Sequence, residues 1–104
     1  MAFKIELHFS VYDDVSNIAD WYEQRQAFLS NRFLNELNLF FAKIETHPYS
    51  FHYYMDNIRI AVLKTFPYCI MYEIIESENL IAILAVIHSK RSPYFILKTI
   101  EQRV

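Results

Sequence analysis

At 104 residues, with 54% apolar and 21% charged side chains, the chain has the size of one folded domain and is too apolar to be a disordered tail. A single cysteine, Cys69, excludes an internal disulfide framework, and the absence of glycine excludes glycine-rich phosphate loops, dinucleotide fingerprints and nucleophile elbows. The net charge of −2 is unevenly spread: 4 basic and 8 acidic residues up to Asn57, then 6 basic and 4 acidic from Ile58 onward, which points to a basic surface built by the C-terminal half.

In chain order, Phe3, Ile5, Leu7 and Phe9 alternate with Lys4, Glu6 and His8, the period of a strand with one buried face over Phe3–Phe9. Ser10 with Asp13 three residues on resembles a capping box, and Asp13 and Asp14 suit the positive end of a helix. That helix carries Val15, Ile18, Ala19 and Tyr22 on one stripe, with Trp21 beside it. After the polar stretch Glu23–Gln26, Phe28, Leu29, Arg32, Phe33, Leu37, Phe40, Phe41 and Ile44 follow three–four spacing to His47-Pro48, where the proline stops the second helix. Two helices so joined predict an antiparallel hairpin whose apolar face needs a cover.

The cover comes from a run of strands: a short edge strand over Phe51–Tyr54, then Ile58–Thr65, Tyr68–Glu76 and Leu80–His88, all rich in Ile, Val, Tyr and Phe. Their connections at Asp56-Asn57, Phe66-Pro67 and Ser77-Glu78-Asn79 are short, so these strands should be antiparallel neighbours. The tail after Pro93 is either a brief helix or extended. The expected fold is therefore α+β over a single domain, 1–104: an N-terminal strand, a helical hairpin on one sheet face, then a three- to four-stranded antiparallel meander. The other sheet face, or a cleft at its end, is left for partners.

His8, His47, His52 and His88 lack helical ligand spacing, and one cysteine cannot build a thiolate site, so neither a metal nor a cofactor is expected. Glu6 and His8 interrupt any signal-peptide pattern, and no stretch approaches the roughly 18 apolar residues of a membrane span. A cytoplasmic chain with no membrane partner is expected.

The order of elements and four local signatures resemble the RelE/ParE toxin superfamily. They are Ala19-Asp20-Trp21-Tyr22 followed by Phe33-Leu34-Asn35-Glu36-Leu37 and Ile44-Glu45-Thr46-His47-Pro48-Tyr49; Ile58-Arg59-Ile60-Ala61-Val62-Leu63-Lys64; Phe66-Pro67-Tyr68-Cys69-Ile70-Met71-Tyr72-Glu73-Ile74; and Ile83-Leu84-Ala85-Val86-Ile87-His88-Ser89-Lys90-Arg91-Ser92-Pro93. The resemblance implies a growth-inhibiting toxin of a type II toxin–antitoxin system, of the kind tied to plasmid stabilization and neutralised by a cognate antitoxin. Some members cut messenger RNA in the ribosome, and the ParE branch poisons DNA gyrase. A homodimer or a toxin–antitoxin hetero-oligomer is compatible with either.

Metal-free RNA cleavage needs a proton-transfer group and fixed cations around the phosphate. His88, Arg59 and Arg91 are the residues of the right type for that chemistry; Lys64, Lys90 and Tyr94 are candidates for binding nucleic acid or another target, and Phe95, like Tyr94, is a ring on which a base can stack. Each has a plainer reading: His88 as a hydrogen-bonded strand end, Arg59 paired with Glu73 across the sheet, Lys90 and Arg91 as solvated charges. In RNA-cleaving relatives an arginine tends to follow the equivalent of Tyr68. Cys69 stands there and carries no charge, which favours the ParE-like, gyrase-directed reading, or an inactive toxin that only binds antitoxin.

Overall fold

The computed structural model describes residues 3–104. The alternating segment forms β1, Lys4–Leu7, which stops two residues short of the expected end. His8 turns the chain instead: its Nδ1 accepts the Ser10 N–H at 3.1 Å and so caps α1, Phe9–Arg25. One orphan N–H at the helix start is thereby satisfied two residues before Ser10, and the expected Ser10–Asp13 capping box is not formed. Phe9 lies in the first helical turn, 78% exposed.

The second helix, α2, spans Leu29–Thr46 and packs against α1. The turn between them places Phe28 in the left-handed region at φ 69°. Glu23 reaches across it and accepts from the Ser30 hydroxyl at 2.6 Å and the Phe28 N–H at 3.0 Å, work that a small capping residue would otherwise do. Pro48 ends α2 and opens a 3-10 turn, Pro48–Ser50.

Four strands follow: β2 His52–Met55, β3 Ile58–Val62, β4 Tyr68–Ile75 and β5 Leu80–His88. They pair antiparallel in sequence order, as their short connections require. β3 is shorter than expected because the Glu36 carboxylate takes the N–H groups of Lys64, Thr65 and Phe66, drawing the chain off the ladder. β1 joins the far side in parallel with β5, giving the order β1-β5-β4-β3-β2.

One face of this sheet is covered by the hairpin. Val11, Ile18, Tyr22, Phe33, Leu37, Phe40 and Ile44 bury against Ala61, Ile70, Tyr72, Ile81, Ile83 and Val86. The other face is covered too, by the chain after Pro93. It forms α3, Pro93–Arg103, with proline in its first turn and the Ser92 hydroxyl accepting the Phe95 N–H at 3.1 Å. Ile96 and Ile100 pack on Ile58, Cys69, Met71, Leu84, Ala85 and Ile87. Helices thus flank both faces, where the hydrophobic pattern alone places them on one. A bulge assists: Tyr72 faces Ile83 and Met71 faces Ala85, so Leu84 is the extra residue, and both Leu84 and Ala85 join the α3 core.

Candidate functional site

β1 is shorter than β5, and its last partnered residue, Leu7, lies opposite Ile83. Beyond that point β5 runs on as the sheet edge, and its main-chain groups need partners. Two side chains supply them. Asp14 of α1 accepts the Val86 N–H at 3.1 Å, and Arg103 of α3 donates to the Leu84 carbonyl at 3.1 Å. The two side chains also join each other through bonds of 2.6 and 2.9 Å. This clamp ties α1 on one sheet face to α3 on the other, across the edge.

Beside the clamp lies a cleft of about 580 Å³ lined by both helices. Asn17, Ile18 and Trp21 form the α1 wall, Phe95 and Thr99 the α3 wall, and Tyr68, Val86, Ile87 and His88 lie between them. Lys90 and Arg91 border the same cleft, as do Asp14 and Arg103. Among the described residues neither Lys90 nor Arg91 forms an ion pair, whereas Arg103 is committed to Asp14. The Arg91 guanidinium lies 4.4 Å from the Phe95 ring centre, and that of Arg25 lies 4.2 Å from the Trp21 ring centre.

His88 packs edge-on to Tyr68 with ring centres 5.2 Å apart. Its Nδ1 accepts the Lys90 N–H at 3.1 Å, so the neutral ring carries its proton on Nε2. In this tautomer His88 is a donor at Nε2, and to accept a proton there it must first exchange tautomers. Burial raises the Tyr68 hydroxyl above its ordinary range, and the positive charge of Arg91 opposes that.

Of the residues singled out in the sequence, His88, Lys90 and Arg91 come together here. Arg59 does not. It sits in β3, only 8% exposed, and donates to the Phe51 carbonyl at 2.6 Å and the Tyr49 carbonyl at 3.3 Å. The Tyr53 and Tyr49 rings lie 4.0 and 5.4 Å from its guanidinium carbon. Its cross-strand partner is Tyr72; Glu73 lies opposite Ile58, so the Arg59–Glu73 pairing is not made. Lys64 lies exposed in the β3–β4 turn, outside the cleft lining. Tyr94 is 70% exposed on α3, beside Lys98, and is likewise outside it. Cys69 is fully buried in the α3 core, its thiol pushed up to about 11 by burial.

Trp21, Asp14 and Arg103 were not singled out for the site by sequence reasoning. The three–four spacing of Asp14, Asn17, Ile18 and Trp21 does place them on one face of α1. Arg103 has no comparable sign, because its partner lies 89 residues away.

A family model described as the ParE toxin of type II toxin–antitoxin systems, parDE, matches residues 5–93. The chain belongs to this family. This ParE family toxin also has the fold of E. coli RelE. It superposes on a RelE with two arginine-to-alanine substitutions in the free state at a TM-score of 0.66 and 11% identity, over 100% of this chain and 99% of that one. The crystal structure of the isolated E. coli RelE toxin in its P21 form gives 0.57 at 10% identity, with 100% of both chains covered. No curated protein matches the sequence. Among the described residues, no helix of the toxin is long and apolar enough to cross a membrane.

Proposed function

We propose that this toxin acts by binding a protein target, DNA gyrase, and not by cutting messenger RNA, and that a cognate antitoxin neutralises it in the cytoplasm. The observation that carries the reading is the burial of Arg59 between two tyrosines and two carbonyls, away from His88. Cleavage of RNA needs a base, an acid and fixed cations converging on one phosphate. Here Lys90 and Arg91 border the cleft, but it holds one histidine for the two proton transfers, already tied through Nδ1, and the position after Tyr68 is a buried cysteine. A toxin acting through protein contacts needs none of these groups to converge. The match to the ParE family agrees with it. Growth inhibition and plasmid stabilization follow from the same reading.

The test adds purified toxin to gyrase with relaxed plasmid and, in parallel, to a translation extract containing a defined transcript. Supercoiling should stop while the transcript stays whole, and the His88→Ala toxin should behave like the native one. Cut transcripts, with cutting lost in His88→Ala, overturn the proposal in favour of a ribosome-associated nuclease. Failure in both assays with antitoxin binding intact overturns it in favour of an inactive toxin.

A further inference from the structure

We infer that two copies of the toxin pair edge to edge through β2, antiparallel about a two-fold axis, so that Asp56 of each copy meets Arg59 of the other. The inference goes beyond the proposed function and does not rest on it.

β2 closes the sheet at the end opposite β1, and its only strand partner among the described residues is β3. The outer main-chain groups of such a strand have no ladder to join, and proteins commonly guard them with lysine, proline or a covering segment. His52-Tyr53-Tyr54-Met55 contains neither lysine nor proline, and its first three residues are exposed, Tyr53 at 63%. What limits this edge is its length of four residues and a bulge: Tyr53 faces Arg59 and Met55 faces Ile58, so Tyr54 is the extra residue.

The charges choose the occupant. Arg59 is enclosed yet forms no ion pair among the described residues, an uncommon state for a buried cation. Only its Nη1 has acceptors, the Phe51 and Tyr49 carbonyls, which places the guanidinium at the start of β2. No enclosed side-chain nitrogen or oxygen among the described residues lacks a hydrogen-bond partner, so Nε and Nη2 reach the surface. Asp56 stands at the other end of β2, exposed in the turn to β3 at φ 45°, and it too forms no ion pair among the described residues. A second copy laid antiparallel brings the end of its β2 to the start of the first, and two-fold symmetry makes both contacts at once. The hairpin from Phe51 to Arg59 carries one acid and one base, so two copies meet without net repulsion. A foreign acidic strand would answer Arg59 and leave Asp56 unmatched. The cleft between α1 and α3 lies along β5, toward the other end of the sheet, and stays open in both copies.

Four residues per edge make a small interface, so the association should be weak, with a Kd on the order of 100 µM. Sedimentation equilibrium of the purified toxin from about 10 µM to about 1 mM should show its mean mass rising from 12.6 kDa toward twice that value. Asp56→Asn removes the charge and keeps the turn, because asparagine tolerates a positive φ; it should weaken the dimer about tenfold with the melting temperature little changed. Asp56→Lys, which sets cation against cation, should weaken it further. Lys4→Ala, at the opposite edge, should change nothing. Backbone amide shifts that depend on concentration should gather on Phe51–Asn57. A toxin that stays monomeric throughout overturns the inference. So does a dimer of undiminished strength in Asp56→Asn and Asp56→Lys, or one whose shifts gather on α1 and α2, since either result would put the contact on another surface.

Discussion

Asp14→Ala takes away one half of a bidentate ion pair and, with it, the acceptor of the Val86 N–H. Exposed ion pairs contribute about 0–1 kcal/mol, and removing one partner of a fully buried pair costs about 3–5 kcal/mol. Both side chains here keep 16% of their exposure, so most of the surrounding water is excluded, and the orphaned N–H adds to the loss. The expected cost is about 2–3 kcal/mol, a fall in Tm of roughly 10–20 °C for a chain this size. Arg103→Ala should cost somewhat less, because the Leu84 carbonyl it frees turns more easily to water. The decisive measurement is a double-mutant cycle by urea denaturation. Once either partner is gone the other has little left to lose, so the double variant should be scarcely less stable than Asp14→Ala, with a coupling energy close to the Arg103→Ala cost, about 2 kcal/mol. The coupling should persist at high salt, which screens exposed pairs far more than enclosed ones. Additive losses would refute the clamp as a unit.

Glu23 gives a pH dependence of known sign: the Ser30 hydroxyl and then the Phe28 N–H hold its carboxyl below the usual range. Its contribution is complete above the ordinary value of 4.5 and is lost as pH falls through the lower folded value, so the advantage of the native chain over Glu23→Gln, measured by thermal melts, should shrink in acid. Arg59→Lys should lower the urea-derived stability by about 1–3 kcal/mol, since an ammonium cannot replace a planar fork that donates to two carbonyls while stacking on tyrosine; gyrase inhibition should survive in the folded fraction. With its thiol pushed up to about 11, Cys69 should resist a disulfide reagent at pH 8 in the native toxin and react fully in urea.

The sheet was legible because strands rich in β-branched and aromatic residues were separated by turns too short for anything but antiparallel pairing; β5 has the bounds that its composition suggests. The end of β1 was misplaced because Phe9 continues an alternation that local hydrogen bonding breaks: the imidazole of His8 rewards a helix start before the apolar pattern gives out. What escaped entirely is long-range. The parallel pairing of β1 with β5, the packing of α3 on the second face and the Asp14–Arg103 bond join segments whose separation leaves no periodic trace. The cleft inherits this division. His88, Lys90 and Arg91 are consecutive enough to be noticed together, whereas Trp21 enters only when the chain folds back. Arg59 shows the converse: a cation at a promising place in a family signature turns out to be bound to backbone carbonyls.

The bulge at Leu84 and the clamp beside it also bear on solubility. Leu80–Ile87 is an unbroken apolar run with no proline and no charge, the composition of segments that template cross-β aggregation when a strand edge is left bare. Over its second half no neighbouring strand among the described residues shields β5 on that side; a carboxylate, a guanidinium and a kink in the ladder do so instead. Substitutions at Asp14 or Arg103 should therefore reveal themselves as concentration-dependent precipitation at temperatures where most molecules are still folded.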